Sequence, residues 1–243
     1  MFSPAGFTEK IIPWLRDAVA KAGAKGLIFG LSGGIDSAVI AALAKKAFPE
    51  NAMGLIMPCH SNLEDEKDAL LVAAHLDLPV KKVILDGVFN SFIRALQTAG
   101  SRGTSRLNQG NLKPRLRMAT LYFFAAEHNF LVAGASNKSE LETGYFTKHG
   151  DGAVDLMPLG SLVKKEIMAL AFYLSLPEKI IAKPPSGGLW EGQTDEQELG
   201  ISYETIDNYL LGRYIEEDKR QLLLNLQEKS RHKRVMPPIP DFK

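Results

Sequence analysis

Short apolar runs alternate along the chain with longer stretches in which apolar residues recur at helical spacing. Four runs read as buried strands: Leu27-Ile28-Phe29 with Leu31 after Gly30, then 52–57 (AMGLIM), 80–85 (VKKVIL) and 130–134 (FLVAG). Their shortness and their Gly, Pro or polar boundaries favour strands over buried helices. The intervening stretches predict helices over 8–22, from the first strand's turn to about Ala47, 64–77, 87–98, 111–128, 159–174, 203–216 and 217–230. Thr8 is the expected cap of the first, which carries Ile11, Ile12, Leu15, Val19 and Ala22 on one side, and Pro114 falls in the first turn of the fifth. On that fifth helix Leu112, Leu116, Ala119, Tyr122, Phe123 and Ala126 face a core or a partner. Three segments lack periodicity: a glycine-rich loop at 100–111, the stretch 136–157, and a Gly/Pro-punctuated segment from Ala182 to Gly200. Strands alternating with helices predict an α/β fold, a parallel sheet with helices on both faces, whose ligands bind at the carboxyl ends of the strands.

Composition narrows this picture. A chain of 243 residues, 45% apolar, suits one large α/β domain, and no linker or repeat divides it, so 1–243 reads as a single domain. Twenty-nine basic residues against 28 acidic leave a net charge of +1, so no bulk field draws the chain to nucleic acid or to an anionic membrane. Cys59 is the only cysteine, which excludes an intrachain disulfide and any multi-cysteine metal site. The N-terminus has no signal-peptide pattern, and the apolar runs fall far short of the ~20 residues of a membrane span. A cytoplasmic protein is expected.

The chemistry starts where the first strand ends, at Gly30-Leu31-Ser32-Gly33-Gly34-Ile35-Asp36-Ser37. Glycines let the backbone turn sharply, and the first N–H groups of the following helix have no intrahelical partner. With the helix dipole they form an anion cradle, to which Ser32 and Ser37 add hydroxyls and Asp36 a carboxylate for a phosphate-bound cation. No Gly-Lys pair is present, so this is not a Walker loop. The plainer alternative is a Gly-Gly turn whose Asp36 and Ser37 are ordinary helix caps.

The SGGIDS stretch resembles the signature of the PP-loop ATP pyrophosphatases, which cleave ATP between its α- and β-phosphates and adenylate a substrate. Three further segments, GASNKSELETGYFTKHGDGAVDLMPL (134–159), PPSGGLWEGQTDEQELGISYETID (184–207) and HKR (232–234), resemble one branch of them, the ammonia-dependent NAD synthetases. The likeness spans nearly the whole chain. It implies an adenine-nucleotide alpha-hydrolase-like (Rossmann-like) fold and a two-step ligase reaction. The nicotinate carboxylate of deamido-NAD attacks the α-phosphate of ATP, releasing pyrophosphate, and ammonia then displaces AMP from the acyl-adenylate. The resemblance implies ATP contacts at Gly30 to Ser37, Ala135, Lys164 and Ser186, with Asp36 and Lys164 catalytic. It implies Mg²⁺ on Asp36 and Glu140, and deamido-NAD contacts at Arg115, Lys148, Asp155, His232 and Lys233. It also implies a homodimer.

One position departs from the pattern: Ala135 stands where these enzymes usually have threonine, which removes an expected hydroxyl contact to ATP. Glutamine-using relatives carry a separate amidase domain, for which this chain is too short. Two rivals stay open: a PP-loop enzyme adenylating another nucleotide or a tRNA base, and a non-catalytic ATP-binding sensor. Thiolating tRNA enzymes need more cysteines and more basic surface than this chain has. Cys59-His60 reads as structural rather than as a nucleophile pair, because adjacent strand side chains point apart.

Overall fold

Leu27 and Phe29 project to one side of strand β1 (Gly26–Gly30) and Ile28 to the other, so this strand feeds two cores at once. In the computed structural model, which describes residues 2–101, 105–188, 190, 192 and 194–242, β1 lies inside a four-stranded parallel sheet. The order is β3 (Val80–Lys82), β2 (Ala52–Ile56), β1, β4 (Phe130–Val132). Leu27 is in register with Ala52 on one side and Leu131 on the other. A parallel bridge from Ala133 to Leu156 extends the sheet beyond β4.

The larger core packs α1 (Pro4–Lys21), α2 (Ile35–Ala47), α3 (Leu63–His75), α7 (Lys164–Tyr173) and α8 (Glu178–Ile181) around the Leu27/Phe29 face. From Ala38 to Ala44 every residue of α2 is buried, and its alanines let it pack closely against its neighbours. The opposite face carries α4 (Asp86–Thr98) and α5 (Arg106–His128), which bury Phe89 and Ala125 against Ile28, Leu55 and Val132. A third, smaller core joins α9 (Asp195–Leu199), α10 (Tyr203–Leu210) and α11 (Glu217–Ser230) through Leu199, Ile206 and Leu223. Helix α6 (Lys138–Thr143) packs on α10 and α11. Among the described residues no helix is long and apolar enough to cross a membrane.

The boundaries differ from the sequence reading where side chains cap helices. Ser3, not Thr8, caps α1 by accepting from the Gly6 N–H (3.2 Å), and Thr8 instead donates to the Pro4 carbonyl. Ser105 accepts from the Asn108 N–H, so α5 begins at Arg106 rather than near Asn111, and the expected loop shrinks. Its residues 102–104 lie outside the described residues, as do Leu189, Glu191 and Gln193 of the GLWEGQ stretch. Residues 159–163 are irregular, so α7 opens at Lys164. Within 136–157, where no periodicity was visible, Asn137 and Glu140 form a reciprocal capping box that starts α6. On α5, Leu112, Leu116 and Tyr122 pack on the core, whereas Ala119, Phe123 and Ala126 stay exposed.

Candidate active site

The strand order reverses direction at β1. The chain adds β2 and β3 on one side of it and then places β4 on the other, so the crevice between the β1 and β4 ends is the switch point at which such sheets bind ligands. A cavity of about 540 Å³ opens there. Gly30 to Ser37 line it, apart from Gly33, together with Ala135, Glu140, Lys164, Ser186 and Lys233. Gly33 is behind the wall: its φ is +79°, and a Cβ there would lie 2.4 Å from the Asp65 carbonyl oxygen, so α3 admits only glycine at that point.

The cradle is built to leave donors free. Helices α1, α3, α5, α6 and α10 each begin with a side-chain cap, but Gly34, at the cap position of α2, offers none. Ala38 is the first α2 residue whose N–H finds a carbonyl in its own helix, that of Gly34. The N–H groups before it are those a phosphate oxygen would take. Ser37 Oγ donates to the Gly34 carbonyl (2.8 Å) and accepts from the Ser32 N–H (3.2 Å), fixing the turn before any ligand arrives.

Asp36, in the first turn of α2, meets two residues from far along the chain. Asn137 Nδ2 donates to its carboxylate (2.9 Å), and Lys164 Nζ forms an ion pair with it. Glu140 Oε1 lies 3.5 Å from the same ammonium group. Burial and then the neighbouring Asp36 charge push Glu140 up to about 8, since two carboxylates at one site resist ionising together. Burial alone would pull Lys164 down, but Asp36 and Glu140 outweigh it and raise its pKa. Two carboxylates converging on one cationic point are a fitting ligand pair for Mg²⁺, which takes one or two protein carboxylates and completes its shell with water and phosphate oxygens. Among the described residues no cluster of three or more candidate ligating side chains exists, so a metal held by this pair would complete its shell from water and substrate.

Lys164 is held in place by a residue 43 positions later. It is the first residue of α7, and its own N–H and that of Lys165 are accepted by the Asp207 carboxylate of α10 (3.2 and 2.8 Å). Ser139 Oγ donates to the same carboxylate (2.7 Å), so one buried charge ties α6, α7 and α10 together. A carboxylate at a helix start is also favoured by the dipole. Beyond Lys164, its ammonium sits 5.1 Å over the Tyr203 ring, whose hydroxyl donates to Asp195 (2.9 Å). Burial raises the pKa of Asp195, which lines the cavity.

The remaining expected contacts spread out. Lys233 Nζ reaches the cavity edge and donates to the Gly144 and Phe146 carbonyls (2.8 Å each). Arg115, Lys148 and His232 form a separate exposed chain, in which Arg115 donates to the Lys148 carbonyl (3.2 Å) and Lys148 to that of His232 (2.7 Å). Asp155 accepts from the Val132 N–H (2.7 Å) and the Tyr122 hydroxyl (3.1 Å) beside β4. None of these four lines the cavity. Conversely, Asn137, Lys183, Asp195 and Arg117 border or hold the site without having been singled out. Asn137 has a sequence signal, the N-x-x-E capping box, and Asp195 lies in the 184–207 segment that carries the family likeness; Lys183 and Arg117 have none. Cys59 is buried and its thiol is pushed up by that burial, as expected of a structural residue.

A parallel sheet with an uncapped glycine turn at its switch point, facing an aspartate, a glutamate and a lysine, defines a nucleotide-binding α/β protein of the PP-loop kind. The NAD synthase family model matches residues 7–237. The chain is 52% identical to the NH3-dependent NAD+ synthetase of Carboxydothermus hydrogenoformans over 233 residues, 96% of either chain. Among solved structures it superposes on NMN synthetase from Francisella tularensis with a TM-score of 0.95, at 37% identity over 100% of both chains. It superposes on NH3-dependent NAD synthetase from Campylobacter jejuni with a TM-score of 0.82, at 37% identity over 99% of this chain and 100% of that one. The chain belongs to the NAD synthase family.

Proposed function

We infer that the cavity carries out the ATP- and ammonia-dependent amidation of deamido-NAD to NAD. The observation that carries this reading is the meeting of the uncapped α2 turn with Lys164 and the Asp36–Glu140 pair at the sheet's switch point. Full-length relatedness to NH3-dependent NAD+ synthetases supports it. The free N–H groups of the cradle, with Ser32, Ser37 and Ser186, take the β- and γ-phosphates, and Lys164 neutralises charge between the α- and β-phosphates. Mg²⁺ on Asp36 and Glu140 supplies further charge neutralisation when bound. A nicotinate oxygen forms a bond to the α-phosphorus, the bond to the bridging oxygen breaks, and pyrophosphate leaves. The nitrogen lone pair of ammonia then bonds to the acyl carbon, AMP departs with the former carboxylate oxygen, and the amide sheds its excess proton to solvent or to a nearby carboxylate. Both nucleophiles come from substrates, so the protein's part is positioning and electrostatic stabilisation.

Lys233, at the cavity edge, and Arg115, Lys148, Asp155 and His232, outside it, are assigned to the dinucleotide. The chain is assigned to a homodimer. Phe123 on α5 and Val88, Phe92 and Leu96 on α4, all more than 40% exposed, support that assembly.

The test is product analysis with ATP, Mg²⁺, deamido-NAD and an ammonium salt. Equimolar NAD, AMP and pyrophosphate are expected, with no NAD when glutamine replaces ammonium; ADP and phosphate, or no turnover, would overturn the reading. The overlay with the Francisella NMN synthetase favours a second reading, in which the acceptor is the mononucleotide. Replacing deamido-NAD by nicotinate mononucleotide decides between them: the substrate with the higher kcat/KM is the one the site is built for.

A further inference from the structure

Among the described residues four cationic side chains line the cavity, and their partners differ in kind. Lys164 is paired with Asp36 and Glu140, and Lys183 with Asp65 and Asp68 (2.7 Å each). Lys233 rests on two carbonyls. Arg117, from the middle of α5, reaches the end of β2, where Nε donates to the Met57 carbonyl and Nη2 to Ser61 Oγ (3.1 Å each). Both acceptors are neutral. Asp65 and Asp151 act on the guanidinium through space, but among the described residues no carboxylate comes within ion-pair distance of it. Asp65 is taken by Lys183, and Asp151 accepts from the Thr147 N–H (2.9 Å).

A guanidinium carries five N–H donors in a planar fork, and among the described residues two are used here. It cannot shed its charge as a lysine can. A partly buried cation without a counter-ion is unfavourable unless an anion joins it, and a fork with an open edge in a substrate cavity is suited to a phosphate or carboxylate. The site is one strand removed from the cradle: Met57, whose carbonyl fixes the guanidinium, packs against Gly30 at the end of β1. We propose that Arg117 is a substrate-binding residue, its open edge holding a phosphate or carboxylate oxygen of a substrate beside the cradle. This deepens the ligase reading and rests on it. The anion comes either from ATP or from deamido-NAD, and the two sources are separable.

The test is ligand binding by calorimetry and steady-state kinetics on the full chain, comparing the native protein with Arg117→Lys and Arg117→Met. A hydrogen bond to a charged group is worth enough that Arg117→Met should weaken one substrate by roughly tenfold or more, with the other within twofold. Loss for ATP assigns the anion to its phosphates. Loss for deamido-NAD but not NAD assigns it to the nicotinate carboxylate, and equal loss for both assigns it to the dinucleotide's phosphates. Arg117→Lys keeps the charge and a donor for Met57, so it should recover part of the affinity, and it serves alone if the Met variant does not fold. A lower melting temperature with both affinities unchanged would make Arg117 a structural brace and overturn the proposal. Should the native protein bind ATP yet make no NAD, the ligase reading fails while the ATP arm still decides the fate of Arg117; no binding of either substrate by the native protein overturns both.

Discussion

The two sides of the cavity are built in opposite ways. On the β1 side everything is local: strand, turn, Ser32, Asp36 and Ser37 lie within about a dozen consecutive residues, and the hydrogen bonds that shape the turn span five residues or fewer. On the other side Asn137 and Glu140, Lys164, Asp195 and Lys233 come from four separate segments held by the small third core and by buried polar anchors. The local side offers backbone donors, which side-chain substitutions other than proline leave in place. The assembled side contributes charge, and each charge depends on a distant partner. The chemistry is therefore concentrated where single changes do most damage.

The largest effect should come from the point where the two sides meet. Asp36→Asn preserves shape but removes a proposed metal ligand and the main counter-charge of Lys164, and turnover should fall at least about 100-fold while circular dichroism stays native. Near-native turnover would show that the local side does not carry the metal. The next effect tests the assembled side through its anchor. Asp207→Ala strips the acceptor from Ser139, Lys164 and Lys165 without touching the cavity, and should cost about 3 kcal/mol or more in urea denaturation. Asp207→Asn, which keeps one acceptor oxygen, should cost less. Equal stability of all three proteins would mean that packing alone positions α7.

The same division explains what could be read from the sequence. A strand, a Gly-Gly turn and a helix start are short-range patterns, so the cradle and Asp36 are legible from residues 26–44, and the parallel sheet from the alternation of strands and helices along the chain. The helix limits that were misplaced turned on caps: Ser3 and Ser105 are ordinary serines until their hydroxyls are seen facing an N–H. Glu140 and Lys164 were reachable only through the family likeness, because nothing in their local spacing tells that both approach Asp36. Arg117 was invisible for another reason. On a helix that supplies both a core face and a cavity wall, an arginine among Leu116 and Met118 has the pattern of a solvated position, and only the fold turns it inward.

A smaller effect distinguishes the charge held on the assembled side. In the unfolded chain a glutamate loses its proton near 4.5, whereas Glu140 holds it to about 8 in the fold. Between those values the folded state binds the extra proton, so stability of the metal-free protein should fall as pH rises across this window; the penalty is absent below it and complete above it. Glu140→Gln should remove that part of the slope, read as melting temperature against pH in the presence of a chelator. Parallel slopes in both proteins would mean that the pair does not share a proton.

The smallest effect probes the one place where the resemblance and the chain disagree. Ala135 follows β4 at the cavity wall, partly buried against the larger core, at the position where the resemblance implies a threonine. If the nucleotide passes this wall, Ala135→Thr adds a hydroxyl within its reach, and one neutral hydrogen bond is worth about 0.5–1.5 kcal/mol, or roughly a two- to tenfold lower KM for ATP. The value for deamido-NAD and kcat should stay unchanged, because the hydroxyl acts on neither the dinucleotide nor the bond being broken. The added atoms enter a half-buried position, so a melting curve must accompany the kinetics to separate crowding from contact. An unchanged KM for ATP at native stability would mean that this wall meets the nucleotide through backbone alone, and that the local cradle, rather than the end of β4, sets the affinity for ATP.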